Sequence, residues 1–374
     1  MSGIYIHIPF CKKACHYCNF HFSTSLKRKE EMIAAICKEL SLRKEELASP
    51  LKTIYFGGGT PSLLSEKEIN HIFETIKEHF GVENDAEITL EANPDDLTKD
   101  VIKQLAKSPI NRLSIGVQSF FEEDLKLMNR AHSEKEAKES IIGAKQYFDN
   151  ISIDLIYGVP GVSNQRWEQN LKIALSLQVP HISSYALTVE PKTAFESFIK
   201  KGKIIPTLDS DFKEQYELLL STMKEAGFVN YEFSSFSKEG YFSKNNTAYW
   251  QGKSYIGIGP SAHSFDGKYR SWNVSNNIKY IQSISEEKLP IERELLSVKD
   301  RYNEYVMIGL RTMWGISLIK IETDFGKNFV QYVLNQAQKA IEDELVILKE
   351  DNLMISEKGK FLCDGIASDL FMID

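Results

Sequence analysis

The chain has 374 residues, 42% of them hydrophobic and 26% charged, with a formal net charge of −7. That length and apolar content suffice for a sizeable core and suggest one large domain with a smaller companion, while the acidic balance and the lack of a basic block exclude a nucleic-acid surface. No apolar run approaches a membrane span, and a first strand beginning almost at residue 1 leaves no room for a targeting segment, so the cytoplasm is the expected compartment.

Strand and helix patterns alternate through the first half. Residues 4–8 predict a first strand, and a 3.6-residue period predicts a helix over 29–47. A short buried strand at 53–56 runs into Gly57-Gly58-Gly59-Thr60-Pro61 and is followed by a helix over 66–80. A strand at 87–92 precedes a helix at 98–107, with Thr98 as its N-cap. Strand 112–117 is followed by helical stretches at 122–128 and 134–148. Strand 151–157, helix 165–177 and strand 181–187 complete six units. Such alternation demands a parallel sheet with helices outside it, either doubly wound or barrel-like. Ligands of both architectures gather at the C-terminal ends of the strands.

Beyond residue 190 the pattern changes. A helix is predicted at 209–226, a strand at 231–236, and a loop-rich stretch around Asn245-Asn246-Thr247-Ala248-Tyr249-Trp250. From about Pro290 the chain is expected to be helical, with apolar runs at 345–348 and 353–355 forming a small hairpin. The expected organisation is a core over 1–190, an extension over 191–289, and a helical, winged-helix-like module over 290–374. Cys37 shares a helical face with Ile33, Ile36 and Leu40, and Cys363 has no cysteine neighbour, so both are read as small apolar residues.

Directly after the first strand stand Cys11, Cys15 and Cys18, at Cys-x3-Cys-x2-Cys spacing. Three thiolates on one short loop can hold three corners of an iron–sulfur cube. A structural cluster normally takes four cysteines, so a fourth iron without a protein ligand suggests a site that binds something else. Zinc would need a fourth ligand, for which His7, His16 and His21 are candidates. A disulfide fits poorly with five cysteines and no secretory signal.

This spacing resembles that of the radical S-adenosylmethionine (SAM) superfamily. The flanking Tyr5-Ile6-His7-Ile8-Pro9-Phe10-Cys11 resembles the family that contains oxygen-independent coproporphyrinogen III dehydrogenase and the heme chaperone HemW. The resemblance implies a partial, six-unit (β/α)6 TIM-like barrel, a [4Fe-4S] cluster held by Cys11, Cys15 and Cys18, and SAM on the open iron. It also implies reductive cleavage of SAM to methionine and a 5′-deoxyadenosyl radical, with the electron drawn from a reductant protein such as a flavodoxin or ferredoxin.

Each further motif lies at a strand end. Consecutive Gly57, Gly58 and Gly59, with Thr60, let backbone approach a ligand closely, and in the family this turn meets the SAM amino group. Glu91 ends the third strand, where an acidic SAM contact is implied. Gln118 ends the fourth; its amide both donates and accepts. Arg130, in Asn129-Arg130-Ala131-His132, resembles the family arginine near the SAM carboxylate, a pairing that guanidinium makes in bidentate fashion. Asp154 is a charge inside an apolar strand and needs a partner, which the resemblance supplies as SAM. Tyr5 corresponds to a tyrosine beside the cluster, although core packing explains it nearly as well.

Two departures separate the branches of this family. The dehydrogenase carries a fourth cysteine two residues after the third and an N-terminal extension; this chain reads Cys18-Asn19-Phe20 and begins at once, as the chaperone does. The chaperone branch carries a His-Asn-x-x-Tyr-Trp motif whose histidine is associated with heme. Here Asn246, Tyr249 and Trp250 match, and Asn245 replaces the histidine; asparagine is a poor iron ligand beside imidazole. Tyr249 and Trp250 are expected either to stack on a porphyrin or to pack a domain junction, and His263 is a substitute ligand candidate. The expected function is that of a heme carrier that passes heme to an acceptor protein, with a radical SAM oxidoreductase acting on a tetrapyrrole as the alternative.

Overall fold

Alternation of period two decides which face of a strand is apolar, and in the first six strands it separates a polar face from an apolar one. The computed structural model describes residues 2–47 and 49–373. Its first six strands are β1 (Ser2–Ile8), β2 (Leu51–Gly58), β3 (Val82–Ala92), β4 (Arg112–Gln118), β5 (Asn150–Tyr157) and β6 (His181–Ala186), parallel and paired in chain order. Residues in register across parallel strands share a face. Tyr5, Tyr55, Thr89 and Arg112 therefore form one row, Glu91, Ser114 and Ser152 the next, and Gly116, Asp154 and Ser183 a third. The opposite face carries Ile4, Ile6, Phe56, Leu90, Leu113, Ile115, Ile153 and Leu155, all fully buried.

Helices cover that apolar face. They are α1 (Lys29–Leu42), α2 (Glu66–His79), α3 (Lys99–Leu105), α4 (Glu122–Leu127), α5 (Glu134–Ala144) and α6 (Asn164–Ser176). Ile69, Ile72 and Ile76 of α2, and Trp167 and Leu171 of α6, are fully buried in the same core. Capping boxes at Ser65 and Ser133 set the starts of α2 and α5, and Thr98 caps α3 by accepting the Val101 N–H. The polar face is left as the lining of a partial barrel. The helix expected to reach residue 47 ends at Leu42, where the buried Arg43 turns its guanidinium to the Gly257 carbonyl and the Ser264 hydroxyl.

The second half extends the sheet at both edges. After α7 (Ala194–Lys200) and α8 (Asp209–Glu225), the expected strand at 231–236 is a hairpin, β7 (Val229–Glu232) and β8 (Ser235–Ser237), whose β8 pairs antiparallel with β6. The carboxylate of Glu232 accepts the Ser234 N–H and holds that turn. The stretch expected to be loop is a helix, α9 (Lys244–Trp250), capped by Ser243. Glu87 also accepts the N–H groups of Lys244 and Asn245. A long-range carboxylate thus starts a helix that local pattern does not announce. Next come β9 (Tyr255–Ile258), parallel to β1, then β10 (His263–Phe265), β11 (Tyr269–Asn273), α10 (Asn277–Ser285) and β12 (Ile291–Leu295). The chain beyond Pro290 therefore begins with an edge strand, not a helix.

A second hydrophobic cluster forms from α11 (Val298–Leu310), β13 (Ile316–Ser317), α12 (Leu318–Phe325), α13 (Lys327–Glu342), β14 (Val346–Lys349), β15 (Asn352–Ile355) and α14 (Cys363–Asp369). Tyr302, Val306, Ile321, Val333 and Leu353 are fully buried there against a three-stranded sheet ordered β13-β15-β14. Among the described residues no helix is long and apolar enough to cross a membrane.

Candidate functional site

The cysteine loop is pinned along its length. The Cys11 N–H donates to the Ser23 carbonyl at 3.0 Å, the His16 N–H to Met128 at 3.1 Å, and the Phe195 N–H to His16 at 3.0 Å. Asn129 donates to the Ala14 carbonyl at 2.7 Å, and Lys12 pairs with Asp95 at 2.9 Å and with Asp96. Tyr17 packs against the cluster of Leu125, Met128, Ile156, Val159 and Phe195. The three thiols stay partly exposed. Burial pushes the Cys11 thiol up to about 11 and raises that of Cys18. Phe20, where the dehydrogenase branch has a cysteine, is 69% exposed.

Arg130 joins this loop to the barrel. Its guanidinium donates to Cys15 Sγ and Tyr17 Oη, both at 3.3 Å, and to Asn93 Oδ1 and the Gly116 carbonyl, both at 2.7 Å. Its Nε is buried and has no partner among the described residues. Gln118, at the end of β4, adopts a left-handed backbone with φ +67°. Such a conformation is costly for a side-chain-bearing residue and concentrates at functional sites.

The barrel lining places the remaining candidates together. Glu91 accepts from Tyr55 Oη at 2.8 Å and from the Gly58 N–H at 3.2 Å. Burial raises its carboxyl to about 7, with Tyr55 opposing the shift and Asp154 adding to it. Asp154 is raised to about 6, again chiefly by burial, and its Ser114 contacts are long, at 3.4 and 3.5 Å. Two carboxyls poised near neutrality are suited to a cationic ligand. A Cβ added at Gly57 would stand 2.8 Å from the Tyr5 ring, and one at Gly58, where φ is +107°, 2.5 Å from the His7 ring. The Gly58 and Gly59 N–H groups are already held by Glu91 and the Ile8 carbonyl, so neither is a free donor. Thr60 lowers the Cys11 thiol by a hydrogen bond and accepts from Asn93 at 3.3 Å.

The donor set fits a cluster and SAM. Three thiols lie on one braced loop, a buried guanidinium has an unmet N–H, two carboxyls carry raised pKa values, and the glycine turn leaves no space for a side chain. Among the described residues no three His, Cys, Asp or Glu side chains converge on a single ion; a cubane presents a separate iron to each thiolate and asks for no such convergence. Sequence reasoning missed Tyr17, Tyr55, Asn93 and Tyr185. Tyr185 shares the Asp154 face of the sheet and is 43% exposed to the open barrel. For Tyr55 and Tyr185 the signal was present in the period-two polar face, which motif matching does not read.

Of the four residues expected near heme, Asn246, Tyr249 and Trp250 lie on α9 and His263 on β10. Asn245, in the place of the family histidine, is only 3% exposed, with its N–H on Glu87. Tyr249 lies 4.5 Å from Tyr255, ring to ring. Trp250 stands under Arg311, which also covers Phe233, so it packs the junction with the C-terminal module. Asn246 is partly buried on α9. His263 is exposed on β10, with its ring 6.0 Å from Trp272.

Residues 5–174 match the Radical SAM superfamily, and residues 296–362 match the HemN C-terminal domain. Heme chaperone HemW of Bacillus subtilis is 34% identical over 367 residues, covering 97% of each chain. That of Lactococcus lactis is 34% identical over 376 residues, covering 98% of each. Coproporphyrinogen III oxidase (HemN) of Escherichia coli, described as a radical SAM enzyme, superposes with a TM-score of 0.86 at 23% identity, over 99% of this chain and 90% of its own.

Proposed function

Because this chain belongs to the radical SAM superfamily and, within it, to the heme chaperone HemW family, we propose that it binds heme and passes it to an acceptor protein. The observation that carries the reading is likeness to these chaperones over 97% of both chains. The family's cofactors are a [4Fe-4S] cluster and SAM. In our reading Cys11, Cys15 and Cys18 hold the cluster. Tyr5, the turn Gly57-Gly58-Gly59-Thr60, Glu91, Gln118, Arg130 and Asp154 receive SAM.

When bound, the cluster supplies an electron that can cleave the SAM sulfonium reductively. The chain's own residues position and shield. Arg130, buried and fixed by Asn93 and Gly116, sets a positive charge beside Cys15 and favours a carboxylate there. Glu91 and Asp154 become anionic when a cationic ligand enters, and so select for one. Tyr17, packed under the loop, keeps water from its inner side. The cytoplasm, with a flavodoxin or ferredoxin as reductant, is the setting we propose.

Heme titration of the cluster-loaded protein, followed by exposure to a heme-free acceptor, tests the reading. Saturable one-to-one binding and transfer are expected, without 5′-deoxyadenosine formation from coproporphyrinogen III. Absence of heme binding overturns it, and product formation from coproporphyrinogen III turns it toward the oxidoreductase.

A further inference from the structure

A cleft of about 370 Å3 separates the β9–β11 hairpin from α11 and α12. It lies at the start of β9, where Tyr255 pairs with Gly3, whereas the cysteine loop follows the other end of β1. Tyr249, Tyr255, Tyr305 and Phe325 supply aromatic walls, and Arg270 and Arg301 reach in from either side. The volume falls within the range of small-molecule sites, about 300–1,000 Å3.

The charges around the cleft are unequal. Arg270 is paired with Glu304, and Lys320 with Asp324. Arg301 and Lys253 have no side-chain partner among the described residues, and the Arg301 Nε is buried with none. Two unanswered cations above aromatic walls suit a flat aromatic ligand that carries two carboxylates. The hydroxyls differ in the same way. Tyr305 Oη accepts the Ser317 N–H at 2.8 Å. Tyr255 Oη has no hydrogen-bond partner among the described residues and lines the cleft.

We propose that this cleft is the tetrapyrrole site: the ring enters edge-on between the aromatic walls, its carboxylates meet Arg301 and Lys253, and Tyr255 Oη ligates ferric iron. Coordination forms one Fe–O bond and releases the phenol proton to water, with no change of oxidation state. Tyrosine is an established class of axial heme ligand. The inference rests on the carrier reading and gives it a location that does not need the histidine replaced by Asn245.

Two probes test it on the full-length, cluster-loaded chain. Iron-free protoporphyrin, followed by fluorescence, reports the cleft without iron ligation. Arg301→Gln combined with Lys253→Gln is expected to weaken it about tenfold or more, the equivalent of one charge-assisted hydrogen bond. Tyr255→Phe is expected to leave protoporphyrin affinity within about twofold and to abolish the phenolate-to-iron absorption band of bound ferric heme. Heme and protoporphyrin binding untouched by all three substitutions but lost in His263→Ala would overturn the cleft and leave the carrier reading standing. No binding of either probe by the native chain would overturn both. The variants are compared by near-ultraviolet circular dichroism, and Arg301→Lys, which keeps the charge, is expected to retain binding.

Discussion

Replacing Glu39 by alanine is expected to cost about 3–5 kcal/mol of stability, the usual penalty for breaking a buried ion pair from one side. Glu39 is fully buried on α1. Its Oε1 accepts from Arg43 Nη1 at 3.1 Å and Asn273 Nδ2 at 2.8 Å, and its Oε2 accepts from the Gly259 N–H at 2.9 Å and Tyr280 Oη at 2.5 Å. Four donors from four segments meet on one carboxylate. Removing it leaves a 2%-exposed Arg43 with Glu46 as its remaining ion-pair partner and orphans three neutral donors, each worth about 1–3 kcal/mol if left dry. Water that enters the space recovers part of this, which keeps the total near the ion-pair figure. Glu39→Gln keeps an acceptor for Arg43 and Asn273 but sets an amide N–H against the Gly259 N–H, so a loss of about 2 kcal/mol is expected. Urea unfolding followed by tryptophan fluorescence measures both, through the midpoint at unchanged slope. Amide exchange over β9 to α10 should quicken in the same variants. A loss below about 1 kcal/mol for Glu39→Ala would refute the assignment of this carboxylate as the joint between α1 and the hairpin.

Other outcomes follow from the barrel lining. Folded Glu91 holds its proton up to about 7, against an ordinary value of 4.5, so its contribution favours the folded state below the ordinary value and is lost as pH rises through about 7. Glu91→Gln should flatten the stability curve in that window, and an unchanged slope would count against the burial argument. Binding of cationic SAM should release protons near pH 6–7, visible as a buffer-dependent heat in calorimetry, because it ionises Glu91 and Asp154. Gly58→Ala forces a Cβ into the His7 ring at a φ of +107°; a loss of about 1–3 kcal/mol and of SAM binding is expected, checked by urea unfolding and ligand titration. Ser65→Ala removes the capping box of α2 and should cost about 1 kcal/mol in the same unfolding assay.

The order of strands and helices in the first half was legible because local signals coincide there: apolar runs in β1 to β6, helical periods between them, and Thr98 as the cap of α3. The cysteine loop was legible for the same reason, since its spacing of three and two residues is a covalent property of the chain. Tertiary structure alone decided the rest. Helix α9 starts where it does because Glu87, more than 150 residues earlier in the chain, accepts its first N–H groups. The hairpin β7–β8 replaces one expected strand because Glu232 closes a turn across it. The grouping of Arg130 with Cys15 and Asn93, and of Glu91 with Tyr55 and Gly58, depends on parallel register, which no local pattern states. Nor could sequence show that Asn245 is buried with its N–H on Glu87 while His263 is exposed on β10, because spacing along a chain carries no burial once strands cross over.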